Sequence, residues 1–255
     1  MWNDVVDLRD FYGQSLGQAA QRLIRQRLRE MWPNLSGQSL LGLGYAVPYL
    51  RPYMDEAERV IAVMPAAQGV MRWPLKEPNL VAIAEETALP LPDRSVDRVL
   101  MVHALECGEQ VRPMLREAWR VLSDGGRLMV VAPNRTGLWA QLERSPFAVG
   151  HPYSAGQLGR LLRNTMFTPM QEARALYVPP VRSRMLLRAA PAIERIGRRL
   201  LPRVGGVVMV EAAKQLYAGT GQREPARVPA RAKLRVVGHP AESVPGPSAP
   251  RTDRD

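Results

Sequence analysis

EETALPLPDRSVDRVLMVHALECGEQVRPMLREAWRVLSDGGRLMVVAP, residues 85–133, is the stretch that decides the fold. Val99-Leu-Met-Val102 is short and continuously apolar, the pattern of a strand buried on both faces. Arg98 stands at its entrance, where a long basic side chain can snorkel to the sheet end. From Pro113 to Leu122, apolar residues recur at Met114, Leu115, Ala118, Trp119 and Leu122, one face of a helix. Asp124-Gly125-Gly126 is then expected to supply a left-handed turn that stops this helix. Arg127-Leu-Met-Val-Val-Ala-Pro133 reads as a second buried strand. Two apolar strands joined by a helix of this length predict a right-handed parallel unit.

Leu89-Pro90-Leu91-Pro92-Asp93, Val96-Asp97 and Leu115-Arg-Glu-Ala-Trp-Arg-Val-Leu-Ser-Asp-Gly-Gly126 follow one another in a distinctive order. In this order they resemble the second half of a class I S-adenosylmethionine-dependent methyltransferase, of the type 11 kind. The resemblance implies an α/β fold: a Rossmann-like, seven-stranded, mostly parallel sheet with helices on both faces and an antiparallel C-terminal hairpin. It implies S-adenosylmethionine as cofactor and methyl transfer to a small or moderate-sized acceptor.

The earlier motifs carry the cofactor residues that the resemblance implies. Ser39-Leu-Leu-Gly-Leu-Gly-Tyr-Ala-Val-Pro-Tyr-Leu50 occupies the place of the glycine-rich first motif. Gly42 and Gly44 stand where a backbone must approach a ligand without a side chain in the way. A tight turn in any α/β domain would use them equally. Leu40 replaces the family's acidic residue, and Ala46 its third glycine. A second strand, Arg59–Met64, ends on Met64 where the family carries the carboxylate that binds the ribose hydroxyls. Losing such charge-assisted bonds costs about 1.5–3 kcal/mol each unless something replaces them; Gln68 is a nearby polar substitute. A third strand, Leu80–Ala84, leads to Glu85, which matches the position facing the adenine amino group, with Glu86 as the adjacent alternative. Asp97 is expected to bond local backbone. His103 follows the fourth strand at the sheet edge where α/β folds bind ligands. It is the candidate catalytic residue, orienting a substrate or accepting a proton, or else a hydrogen-bonded wall.

The chain has 255 residues, 46% of them hydrophobic, enough for one sizeable core. No apolar run reaches the length of a membrane span, and Met1–Asp7 lacks the basic start and apolar centre of a signal peptide. Cys107 is the lone cysteine, so neither an internal disulfide nor a cysteine metal cluster is available. A cytoplasmic protein with no metal is the expectation. The formal charge is +11. Between Arg160 and Arg203 ten arginines face only Glu172 and Glu194, a local balance of +8. No aromatic interleaving accompanies them, so the pattern argues for a solvated basic face over nucleic-acid binding.

Asp4 to Trp32 reads as a helical lead-in, with Leu16, Ala20, Leu23, Leu28 and Met31 on one side. His151 and Tyr153 fall in a Gly- and Pro-containing segment after the fifth strand, as substrate-side candidates or a structural turn. Ser154 is positioned to cap a helix over 155–164. Strands are expected over 170–178 and within 206–217. Between them Met185, Ala189, Ile193, Ile196 and Leu200 share one helical face and Arg184, Arg188, Arg195 and Arg199 another, with Pro191 dividing the helix or starting a second one. The apolar face is expected to pack on the sheet; lying on an anionic membrane is the other use of such a pattern. The basic segment 182–203 is also the expected surface for any protein partner. Residues 1–218 therefore read as one methyltransferase-like domain with its lead-in. Residues 219–255, rich in Arg, Pro and Ala, read as a disordered tail. Leu40, Ala46 and Met64 support a second functional reading, a degenerate methyltransferase fold serving as a binding or regulatory subunit.

Overall fold

The computed structural model describes residues 4–142 and 145–216; the expected tail at 219–255 lies outside them. Seven strands form one sheet in the order β3-β2-β1-β4-β5-β7-β6. The parallel strands are β1 (Ser39–Gly44), β2 (Arg59–Pro65), β3 (Val81–Ala84), β4 (Val96–Val102) and β5 (Leu122–Pro133). Strand β7 (Val207–Lys214) runs antiparallel to both β5 and β6 (Phe167–Ala175). The two apolar strands read from the sequence are adjacent and parallel, Val99 opposite Leu128 and Val102 opposite Val131.

Alternation along the strands builds two cores, since successive side chains point to opposite faces. Leu40, Leu100, Met129 and Met209 face α1 (Val5–Gly13), α2 (Ser15–Met31), α5 (Leu138–Gln141) and α7 (Arg184–Leu200). Leu41, Val99, Leu128 and Val208 face α4 (Val111–Val121) and α6 (Ala155–Arg163). A short helix, α3 (Val47–Leu50), follows β1. Helix α6 starts at Ser154, whose side chain and that of Gln157 cap one another's backbone amides.

Several expectations are corrected. The lead-in is two helices, because Gln14 is extended between them. Helix α2 can then turn back on α1 only through Gly17, where a Cβ would stand 2.0 Å from the Phe11 carbonyl oxygen. No left-handed glycine ends α4: it passes at an extended Leu122 directly into β5. The residues between absorb the change as a register shift, since Val96 pairs with Leu122 but Arg98 with Arg127. Strand β6 begins three residues before the expected position, at Phe167.

Helix α7 departs most. It runs unbroken through Pro191, and its apolar stripe faces away from the sheet except at Ile193, which packs partly against the core. Met185 is 76% exposed, Leu200 70% and Ile196 59%. The rotation is set by the opposite side. There the buried Glu194 carboxylate accepts hydrogen bonds from the backbone N–H groups of Leu176 (2.9 Å) and Tyr177 (2.8 Å). Gly197 lies so close to the Tyr177 ring that a Cβ would be 2.4 Å from it. Two satisfied buried amides and this close approach fix the helix more firmly than burial of Met185 and Leu200 could.

Candidate functional site

Strand order reverses between β1 and β4, and the crevice beyond the carboxyl ends of those strands is where open α/β sheets hold ligands. Five segments converge there. The β1–α3 turn brings Tyr45 and Tyr49, the end of β2 brings Pro65 to Gln68, and the end of β3 brings Glu85 and Glu86. The segment after β4 brings His103 to Gln110, and α1 lays Tyr12 across the top.

The centre is a buried polar cluster. The Tyr12 hydroxyl lies 2.7 Å from His103 Nε2 and 2.8 Å from the Tyr49 hydroxyl. His103 Nδ1 lies 3.1 Å from Glu106 Oε1. With Nδ1–H donating to the carboxylate, Nε2 accepts from Tyr12, whose oxygen accepts in turn from Tyr49; the network assigns this tautomer. Rings close around it: Tyr12 stacks on Tyr45 at 5.7 Å, and Phe147 stands 4.8 Å from the imidazole. Burial raises the ionisation of Tyr12 and Tyr49 well above the ordinary tyrosine range, and that of Tyr45 to about 12. All three are therefore neutral hydrogen-bonding groups at any physiological pH. His103 itself, 1% exposed, adopts φ +51°, a region costly for a non-glycine residue and often found at functional sites.

Beside this cluster lies a pocket of about 240 Å³, lined by Pro65, Ala67, Gln68, Glu85, Glu86, His103, Ala104, Cys107, Gly108, Glu109 and Gln110. Its charged side chains are all acidic. Burial, then the neighbouring Glu85 and Glu109, raises the Glu86 carboxyl above the usual range. Burial also pushes the Cys107 thiol up to about 12, so it is no nucleophile at neutral pH. Gln68 donates to the His103 carbonyl (3.1 Å), leaving its Oε1 buried with no hydrogen-bond partner. Glu106 Oε2 is likewise buried and unsatisfied. Buried acceptors of this kind cost about 1–3 kcal/mol each unless water or a ligand pairs with them. They are where a ligand's donors would be used.

The structure thus gathers Glu85, Glu86 and His103 at one pocket, but not Gly42, Gly44 or Met64. Gly42 is packed under α3, where a Cβ would meet Leu50 at 2.7 Å and Ala46 at 2.9 Å. Gly44 has φ +80° and lies against the Val102 carbonyl. Their absent side chains make room for protein, not for a ligand. Met64 is wholly buried in the core beneath α1 and α2. Asp97 binds Ser39 N–H at 2.9 Å and the hydroxyls of Ser39 and Ser123 at 2.8 and 3.0 Å, tying β1, β4 and β5 together at their amino ends. His151 is exposed and Tyr153 half-buried, on a segment pinned to Glu106 by the His151 N–H (3.0 Å). Gly150 permits that approach, with φ +78° and a notional Cβ 1.9 Å from the Glu106 carbonyl oxygen. Tyr12, Tyr49, Glu106 and Glu109 were not legible as site residues. Tyr12 meets His103 across 91 residues of chain, a pairing no local periodicity records.

A family model described as a methyltransferase domain matches residues 41–130. Among curated proteins, the chain is 30% identical over 148 residues to malonyl-[acyl-carrier protein] O-methyltransferase 1 of Coxiella burnetii, covering 53% of this chain and 48% of that protein. It is 32% identical over 118 residues to an uncharacterized protein of Mycobacterium tuberculosis, covering 44% and 41%. The chain thus spans less than half the length of these relatives. Among solved structures, an S-adenosylmethionine-dependent methyltransferase of Thermotoga maritima, described as a possible histamine N-methyltransferase, superposes with a TM-score of 0.58 at 19% identity, over 84% of this chain and all of that one. Motif order, strand order and the matched segment agree: residues 41–130 match the methyltransferase-domain model, and the chain has the fold of the class I S-adenosylmethionine-dependent methyltransferases.

Proposed function

We propose that this chain transfers a methyl group from S-adenosylmethionine to a small acceptor, and that the structure is a closed state of that site. The observation that carries this reading is the acidic pocket at the strand-order reversal, with the unpaired Gln68 Oε1 in its wall. Gln68 takes the place of the family's ribose carboxylate as an acceptor for the hydroxyls, and Glu85 or Glu86 accepts from the adenine amino group. The carboxylates of Glu85, Glu86 and Glu109 also favour a cationic ligand over an anionic one. At about 240 Å³, the pocket is below the roughly 300–1,000 Å³ usual for ligand sites. It suits the nucleoside end, and the remainder requires Tyr12 to leave the crevice.

The bound cofactor supplies a methyl group already activated by its sulfonium charge. The protein's part is alignment, exclusion of water and management of one proton. Release of Tyr12 frees His103 Nε2, while Nδ1–H stays on Glu106. That carboxylate fixes the ring and stabilises the imidazolium formed when Nε2 takes a proton from the acceptor. Tyr49 and Tyr45, held neutral by burial, line the same space without competing for that proton.

Calorimetric titration with S-adenosylmethionine tests the reading. Wild-type protein is expected to bind, and Gln68→Ala to bind roughly tenfold more weakly, one lost hydrogen bond. A second reading, the fold retained as a binding or regulatory subunit, is favoured by Met64 in the core and Tyr12 in the crevice. Absence of binding by wild type and by Tyr12→Phe alike would establish it in place of the first.

A further inference from the structure

Outside the site, the most unusual surface is α7. Seventeen residues at 1.5 Å each make it about 25 Å long, and along its outer side Met185, Ala189, Ile196 and Leu200 form one straight apolar row. Just past the helix, Leu201 and Val204 are also exposed. Beside it, 3.6-residue geometry places Arg184, Arg188, Arg195 and Arg199 in a second row, all exposed. Among the described residues these four have no ion-pair partner. Arg198, by contrast, binds Glu30, and Glu194 on the inner side is spent on backbone amides. No acidic side chain interrupts the outer surface of the helix.

On the other side of the arginines, α7 meets α2. A groove of about 530 Å³ runs between the two helices, floored by Ala19, Leu23, Leu187 and Ala190 and edged by Arg22, Arg184 and Arg188. Apolar depth beneath a cationic edge, next to an exposed apolar row flanked by arginines, is the layout of a helix lying in a bilayer interface. Arginine stems can lie along the acyl boundary while the guanidinium groups reach phosphates. A solvated basic face would not need the exposed Met185, Ile196, Leu200 and Leu201. An acidic protein partner would account for the arginines but not for a row open along the whole helix.

We propose that α7, with the adjoining edge of α2, seats this protein on an anionic lipid bilayer. The docking is peripheral: no helix among the described residues is long and apolar enough to cross a membrane. It does not depend on the pocket's ligand, since none of the groove residues belongs to that site.

The full chain is tested by co-sedimentation with large vesicles of phosphatidylcholine, alone or mixed equally with phosphatidylglycerol. Wild type is expected to pellet with the mixed vesicles and not with the neutral ones, and to be released by salt. Two double variants at exposed positions separate the contributions: Ile196→Asp with Leu200→Asp, and Arg188→Glu with Arg195→Glu. Each is expected to lower partitioning roughly tenfold or more with unchanged melting temperature. The basic residues after position 218 remain in both variants, so binding that persists undiminished would overturn the assignment to α7. Equal binding to neutral vesicles, or none to either, would overturn it too. So would a wild-type dimer that the Asp variant converts to monomer without any vesicle binding, which would make the row a contact between copies.

Discussion

The turn Leu89-Pro90-Leu91-Pro92-Asp93 precedes β4, and the segment from Tyr45 into α3 follows β1 beside it, yet they are held by opposite means. Arg120 of α4 donates to the carbonyls of Leu89 (2.9 Å) and Leu91 (2.8 Å) and to Asp93 (2.7 Å), while Glu117 accepts from the Leu89 N–H at 2.9 Å. That end is fastened by a charged fork three residues apart on one helix. The other is fastened by rings: Tyr12, Tyr49 and His103 are buried and joined through single hydrogen bonds, and Tyr45 stacks on Tyr12. A charged fork on a fixed helix makes a rigid turn. A cluster of stacked rings joined by single hydrogen bonds, one ring carried by α1, makes a closure that can be undone. The charged fastening and the candidate site thus lie at different ends of the same strands.

Met64→Glu tests this contrast hardest, because the family pattern marks the position as part of the ligand end while the structure puts it in the core. A carboxylate there is buried without a partner, and a loss of about 3–5 kcal/mol is expected in urea denaturation. Cofactor affinity is expected not to rise. A variant that kept its stability and bound S-adenosylmethionine more tightly would move β2's end from the core to the site.

The charged end predicts a smaller effect and a pH dependence. Arg120→Ala removes several charge-assisted bonds at a partly exposed position, for an expected loss of about 2–3 kcal/mol. The hydrogen bond from Arg120 is the main reason the Glu117 carboxyl lies below the usual range. A carboxyl whose folded pKa is lower than its unfolded value, about 4.3, gives its full stabilisation above that value. It loses it as pH falls through the folded pKa. Stability measured from pH 6 downward should therefore fall less steeply in Glu117→Gln than in wild type. Parallel curves would show that the fork contributes no proton-linked stability.

The same contrast explains what the sequence disclosed. The β4–α4–β5 unit was legible because its determinants are local: two apolar runs and one helical face. The exit from α4 was misread because Gly125-Gly126 resembles a helix stop, whereas the glycines serve a register shift against β4 that only the paired strand defines. Helix α7 was legible as a helix but not in its orientation. Periodicity identifies an apolar row, while rotation was decided by Glu194 finding two amides 17 and 18 residues away. At the site, Glu85, Glu86 and His103 could be placed because strand ends place them. Tyr12, which lies across the crevice, comes from α1, whose packing no pattern in its own residues specifies.

Tyr12→Phe is expected to show the smallest change in stability and the most informative one in binding. The hydroxyl lies between Tyr49 and His103 Nε2, so its removal leaves each one partner short. Tyr49 can rotate its O–H, and the His103 ring keeps its contact with Glu106. The net loss should stay near 1 kcal/mol, at the low end for a buried hydrogen bond. The ring remains to stack on Tyr45, so α1 keeps its packing. What changes is the energy needed to withdraw it from the crevice. If closure by Tyr12 opposes the ligand, the stability lost from the closed state reappears as affinity, about fivefold for 1 kcal/mol. Paired titrations of wild type and Tyr12→Phe with S-adenosylmethionine measure this directly. Tighter binding with a slightly lower melting temperature makes the cluster a closure. Equal or weaker binding by Tyr12→Phe makes the hydroxyl part of the binding surface, and the two ends of the sheet would then differ in chemistry but not in mobility.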